Sequence, residues 1–230
     1  LWARIYLPLP PHTKTNTRLP VLLFFHASGF CALSPATPVV HRMCLLWAAK
    51  LGVIIVCVKH RLAPEHRLPA AYEDSIAALQ WLQAMKSTEP GAVTVDPWLH
   101  SHADLSNIFV AGESAGGNIA NHVGMWAAAQ DGEMQVKGII LLCPFFGGED
   151  RTASEEVGLS RMATALQTDT TWRLALPVGS NRDHPFCNPV GEGTDKSALS
   201  SLALPPMLFV IAGLDILRDK ELQYCDVLKK

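Results

Sequence analysis

Ile108-Phe109-Val110-Ala111-Gly112-Glu113-Ser114-Ala115-Gly116-Gly117-Asn118-Ile119-Ala120 is the stretch from which the fold can be read. Its first four residues are apolar and suit a buried strand, and the residues after Ala115 suit the first turns of a helix. Between them lies G-x-S-x-G, the nucleophile-elbow pattern, in which a sharp turn lifts one serine clear of a strand end. A serine hydroxyl is a weak nucleophile, so it must stand where a base can take its proton. Gly112 and Gly116 have no side chains, so strand and helix can close around a strained turn. The pentapeptide alone is weak, since about one chain in fifteen of this length would carry it by chance. Its place between an apolar run and a helical run gives it weight.

Upstream of this stretch, Trp2 to Leu7 reads as a strand and Pro8 to Pro20 as a connector rich in Pro and Thr. Val21 to Phe25 is a wholly apolar strand that runs into His26-Ala27-Ser28-Gly29-Phe30. A helix is expected over about Val39 to Leu51, stopped by Gly52, and then a buried strand over Val53 to Val58. Lys59 to Pro69 reads as a polar loop, about Ala70 to Met85 as a helix, and Ser87 to Ser106 as an irregular excursion. Downstream, the elbow helix is expected to end near Ala129, and Val136 to Cys143 forms a strand closed by Pro144. The segment 147–204 reads as an insertion of the kind that often forms a lid. It holds two helical pieces, about Ser154 to Leu166 and Thr170 to Leu176, followed by the irregular run Pro177 to Asn188. Pro206 to Ala212 returns to a buried strand, Gly213-Leu214-Asp215 lies at its end, and a last helix starts near Arg218.

Strands that are apolar throughout and alternate with helices predict a single α/β domain with a mostly parallel central sheet covered on both faces. In such sheets, functional groups gather at the carboxyl ends of the strands. His26-Ala27-Ser28-Gly29, Ser114 and Asp215 all fall there.

The chain of 230 residues carries a formal net charge of −2 without a basic block, which argues against nucleic-acid binding through a charged surface. No apolar run approaches the ~20 residues of a membrane span. Cys31, Cys44, Cys57, Cys143, Cys187 and Cys225 are scattered without C-x-x-C spacing, which reads as reduced thiols in a cytoplasmic protein. The nine histidines are scattered, and none forms the H-E-x-x-H zinc pattern.

Ser114 is the candidate nucleophile, and Asp215, 101 residues on, is the candidate acid that orients a histidine and stabilises its imidazolium. Asp219 is a weaker candidate because it sits further past the strand end. The oxyanion formed in acyl transfer needs fixed backbone N–H donors, one from Ala115 and others from the His26-Ala27-Ser28-Gly29 loop. If Ala27 or Ser28 had to adopt φ > 0, a non-glycine residue there would cost on the order of 1 kcal/mol. His26 reads as loop-shaping rather than as a base. The elbow order is Ser, then Asp, then His, yet the nine histidines all precede Asp215. His122 is too far along the elbow helix to reach Ser114, and His184 lies in the insertion. The chain starts without Met and its final helix runs to the last residue uncapped, so the base is expected beyond Lys230.

Taken together, Phe25-His26-Ala27-Ser28-Gly29-Phe30, Arg61-Leu62-Ala63-Pro64-Glu65-His66-Arg67-Leu68-Pro69-Ala70-Ala71-Tyr72, Gly112 to Ala120, Asn181-Arg182-Asp183-His184-Pro185-Phe186-Cys187-Asn188-Pro189 and Gly213-Leu214-Asp215-Ile216-Leu217-Arg218-Asp219 resemble one family. It is the plant carboxylesterase branch of the hormone-sensitive-lipase-like α/β-hydrolases, which also contains the gibberellin receptors. The resemblance implies an α/β-hydrolase fold and hydrolysis of small or short-chain carboxylic esters through an acyl-enzyme, with no metal or cofactor. It puts the nucleophile on Ser114, the acid on Asp215 and the oxyanion donors on Ser28, Gly29 and Ala115, with His26 and Ala27 in the oxyanion-loop motif. The loop departs from the family's H-G-G-G, and Lys59-His60 stands where the family usually has Asp-Tyr. The resemblance also places an N-terminal lid segment and the catalytic histidine outside residues 1–230. Two alternatives accompany the esterase: a non-catalytic small-molecule receptor on the same scaffold, and an inactive truncated product.

Overall fold

The computed structural model describes residues 1–8, 18–86, 96–130, 132, 134–158, 164–192, 194, 199 and 201–229. Most of the Pro8–Pro20 connector, half of the 87–106 excursion and the middle of the first helical piece of the insertion lie outside these residues. The apolar runs form strands β1 (Trp2–Tyr6), β2 (Leu19–Phe25), β3 (Ile54–Lys59), β4 (Ala103–Glu113), β5 (Gly138–Leu142) and β6 (Met207–Val210). They make one sheet in the order β1-β3-β2-β4-β5-β6. Only β1 runs antiparallel, against β3, and the other four pairings are parallel. The helices are α1 (Pro38–Leu51), α2 (Ala70–Ala84), α3 (Pro97–His102), α4 (Ala115–Ala128), α5 (Ala153–Val157), α6 (Ala165–Ala175) and α7 (Arg218–Leu228).

Successive strand side chains point to opposite faces, and the core divides along that line. Val21, Leu23 and Phe25 of β2, with Val56, Val58, Ile108 and Val110, face the larger cluster under α2 and α4. Leu22 and Phe24, with Ile55, Cys57 and Ala111, face Val40, Cys44 and Ala48 of α1. This two-sided burial explains why β2 and β3 carry no alternation. Toward β6 the second cover thins out, and Leu208 and Val210 are 56% and 45% exposed.

Three boundaries depart furthest from the sequence reading, each for a local reason. β4 starts at Ala103, five residues ahead of the apolar run, because it contains a register shift against β2 between Pro20 and Val21. In that shift Asp104 accepts hydrogen bonds from the Ser106 amide and hydroxyl and from Asn107 Nδ2, so the polar residues are satisfied by one another. In the insertion, the first helix ends at Val157, where Gly158 turns left-handed at φ 59. The second begins at Ala165 rather than near Thr170, started by a reciprocal Thr164–Gln167 capping box.

The insertion is tied down electrostatically and by packing. Arg182 pairs with Glu149 and Asp169, and Arg151 pairs with Glu155 and Asp169. Asn118 on α4 donates to the carbonyls of Phe145 (2.9 Å) and Phe186 (2.8 Å) and accepts from Tyr72 Oη of α2 (2.6 Å). That buried amide therefore joins two core helices to Phe145, just ahead of the insertion, and to Phe186 within the irregular run. Among the described residues no helix is long and apolar enough to cross a membrane.

Candidate active site

Ser114 stands between β4 and α4 with φ 54 and ψ −118, a conformation that costs a non-glycine residue on the order of 1–3 kcal/mol. Its surroundings over-determine the turn. The Ser114 amide donates to Leu142 O (2.9 Å), and the Ser114 carbonyl accepts from Asn118 N (3.0 Å) and Phe145 N (2.9 Å). The glycines permit the approach. A Cβ on Gly112 would lie 1.9 Å from Gly116 O, one on Gly116 2.0 Å from Phe25 O, and one on Gly117 2.9 Å from Pro144 Cα. The elbow is thus clamped between β2 and β5, with Ser114 at the amino end of α4, where helix dipole and free N–H groups favour negative charge.

The loop His26-Ala27-Ser28-Gly29 begins where Gly116 meets the Phe25 and His26 carbonyls, so it flanks the elbow directly. Neither Ala27 nor Ser28 adopts positive φ, so the two replaced glycines add no strain. Gly29 does, at φ 53, and a Cβ there would lie 3.1 Å from Thr171 Cγ2 of α6. Ser28 Oγ accepts from Phe30 N (3.0 Å) and Ser28 O from Cys31 N (3.0 Å), which locks the turn. Phe30 packs on Trp172 (5.4 Å between centroids), and Trp172 stacks on Phe145 (4.6 Å, 8°). The insertion therefore buttresses this loop through Thr171 and Trp172, two residues the sequence reading did not single out.

At the next strand ends, Cys143 N donates to Val210 O (2.8 Å), which aligns β5 with β6 ahead of the Gly213-Leu214-Asp215 turn. Asp215 is partly buried and accepts from Leu217 N (3.2 Å). Asp219, the weaker candidate, is committed elsewhere: it accepts from Ser154 N (2.8 Å) at the start of α5 and from Arg218 Nε (2.9 Å). Ser114 and Asp215 thus lie on the same edge of the sheet, with β5 between their strands. Glu221, a residue the sequence reading passed over, is fully buried, and neither of its carboxyl oxygens has a hydrogen-bond partner among the described residues. Burial, and then the charge of Asp215, push its pKa up to about 8. Its only sequence signal is an acid in the first turn of α7, which reads as ordinary helix capping.

Four of the histidines are engaged with other partners. His122 stacks on Tyr72 (3.9 Å, 11°), and His184 Nδ1 accepts from Phe186 N (3.2 Å). His26 and His60 stack on each other (5.0 Å, 17°), and their Nδ1 atoms lie 3.0 Å from the carbonyls of Ala27 and Arg61. Among the described residues none hydrogen-bonds to Ser114 Oγ. No group of three His, Cys, Asp or Glu side chains among those residues could hold a metal ion.

Two of these histidines make an acid-sensitive element. Burial, then the neighbouring His26, push His60 down to about 4, and burial alone pushes His122 down to about 4. The unfolded value is near 6.5, so between pH 6.5 and 4 the unfolded chain binds more protons than the folded one. Stability is full above pH 6.5 and falls as the pH drops toward 4, by on the order of 3 kcal/mol per histidine. Urea midpoints measured at pH 7 and pH 4.5 are expected to show this loss. The double variant His60→Phe/His122→Phe is expected to remove most of it.

Comparison with known proteins places this geometry. The family described as alpha/beta hydrolase fold matches residues 22–230. The chain is 36% identical over 230 residues to "Probable carboxylesterase 6" of Arabidopsis thaliana, covering 98% of this chain and 65% of that protein. It is 39% identical over 227 residues to "Gibberellin receptor GID1B" of the same plant, covering 97% of this chain and 59% of that protein. The structure of a hyperthermophilic esterase from the archaeon Pyrobaculum calidifontis superposes with a TM-score of 0.77 at 30% identity, covering 99% of this chain and 67% of that one. The chain thus spans roughly three-fifths to two-thirds of the length of these two plant relatives.

Proposed function

The chain belongs to the alpha/beta hydrolase fold family, and on that footing we propose that it is the core of a serine carboxylesterase acting on small or short-chain carboxylic esters. The observation that carries the proposal is Ser114, held at φ 54 between an oxyanion loop and the start of α4. Carboxylesterases among the relatives and an esterase among the structural neighbours support the reaction class.

In this reading Ser114 Oγ attacks the ester carbonyl while a histidine takes its proton, giving a tetrahedral oxyanion. The amides of Ser28, Gly29 and Ala115 receive that oxyanion. The histidine then protonates the leaving alcohol and returns to neutral, water attacks the acyl-enzyme by the same route, and Asp215 orients the ring and stabilises the imidazolium each time it forms. The base in this reading is a histidine that the described residues do not bring to Ser114, so residues 1–230 alone are proposed to turn over little ester.

A receptor without catalysis is the second reading, supported by the gibberellin receptor relative. The presence of both Ser114 and Asp215 favours the enzyme, and the residue at the base position decides: histidine for an esterase, an aliphatic residue for a receptor. The test is covalent. A fluorophosphonate added to the full-length protein is expected to modify one site, with the mass increase on the peptide holding Ser114. No modification, or equal modification of the Ser114→Ala protein, would sink the proposal.

A further inference from the structure

Glu221 is an anomaly, since a carboxyl with no surface exposure and, among the described residues, no hydrogen-bond partner on either oxygen is costly to bury. Its position is set by α7. One turn further along the helix, Tyr224 packs on Phe146 (4.9 Å) and Phe209 (6.0 Å) and donates to Asn121 Oδ1 of α4 (2.9 Å). The same helix face therefore holds Glu221 over the carboxyl ends of β5 and β6, behind Asp215. The charged and titratable groups around it are Asp215, Cys143 at the end of β5 and Cys225 on α7, with Glu113 beyond Cys143. None of these is a cation. Arg218 is spent on Asp219 and Gly213 O, and Lys220 points to the other side, where a Cβ on Gly148 would lie 2.7 Å from its Nζ.

We propose that Glu221 is a positioning residue which, together with Asp215, makes this strand-end site a receptor for one imidazolium ring. The inference deepens the esterase reading and rests on its assignment of Asp215 as the acid. Asp215, partly exposed, takes the ring N–H directly. Glu221 stands behind it as the second negative charge, neutral while the site is empty. When an imidazolium arrives, Glu221 gives its proton to solvent. Imidazolium, carboxylate and carboxylic acid become imidazolium, two carboxylates and one free proton, and charge balances. Burial holding the Glu221 carboxyl well above the usual carboxylate range is what makes it a proton donor at this step.

The experiment is calorimetric titration of imidazole into the 230-residue chain at pH 6, in buffers of differing ionisation enthalpy. Saturable binding with release of close to one proton per imidazolium is expected. Glu221→Gln is expected to bind about tenfold more weakly with no proton release, and Asp215→Asn to bind about tenfold more weakly. Glu221→Leu serves in place of the glutamine variant should that variant not fold. Absence of binding, or unchanged affinity and proton release in the Glu221 variant, would overturn the proposal. Binding needs no turnover, so failure of the esterase reading at Ser114 would leave this readout intact and separately visible.

Discussion

Full-length protein carrying Ser114→Ala is expected to hydrolyse a p-nitrophenyl acyl ester about 10⁴-fold more slowly than the parent, or slower still. The loss is large because the hydroxyl is the only atom the substitution removes, and the proposed covalent intermediate cannot form without it. The fold should not register the change. Ser114 Oγ has no hydrogen bond among the described residues, and the contacts that hold the elbow run through the backbone amide and carbonyl. Stability is therefore expected to stay within about 0.5 kcal/mol of the parent. Initial rates with a urea curve on the same sample separate the two effects. A Ser114→Ala protein that hydrolyses the ester at the parent rate would refute the acyl-enzyme.

Gly116→Ala is expected to act in the opposite way, destabilising the chain by about 3 kcal/mol or more. The new methyl would meet Phe25 O at 2.0 Å, Phe25 C at 2.5 Å and His26 O at 2.7 Å. These are backbone atoms at the end of a central strand, so no rotamer change relieves them, and α4 must move away from β2. That movement would also pull the His26–Gly29 loop from the elbow. Gly213→Ala is the control, since it has ordinary φ and no heavy atom within 4 Å of the added methyl. It should change stability by less than about 0.5 kcal/mol. Equal urea midpoints for the two variants would mean that the elbow does not need the close approach.

The parts of the site that were legible came from chain-local chemistry. Gly112, Ser114 and Gly116 announce a strand–turn–helix because each residue type answers a steric demand within five positions. Gly52 announces the end of α1 in the same way, and it does adopt a left-handed cap at φ 64. Thr164-x-x-Gln167 was an equally local signal for the start of α6, masked by the polar residues after it. What escaped the reading depends on residues far apart in sequence. The strand start at Ala103 needs a bulge whose polar groups satisfy one another. The support of Gly29 by Thr171 needs α6 to fold back across more than a hundred residues.

The sequence by itself determined the alternation of apolar strands and helices, the elbow, and the placing of His26, Ser114 and Asp215 at strand ends. Those properties follow from side-chain periodicity and from the backbone limits of Gly and Pro, which act over a few residues. Only the tertiary structure decided which groups are dry and which are partnered. It committed Asp219 to Ser154 and, among the described residues, left the Asp215 carboxylate to the Leu217 amide. It stacked His26 on His60, and it sealed Glu221 without a hydrogen-bond partner beside the candidate acid. Burial and hydrogen bonding set the charge of such groups, and both arise only when distant segments pack.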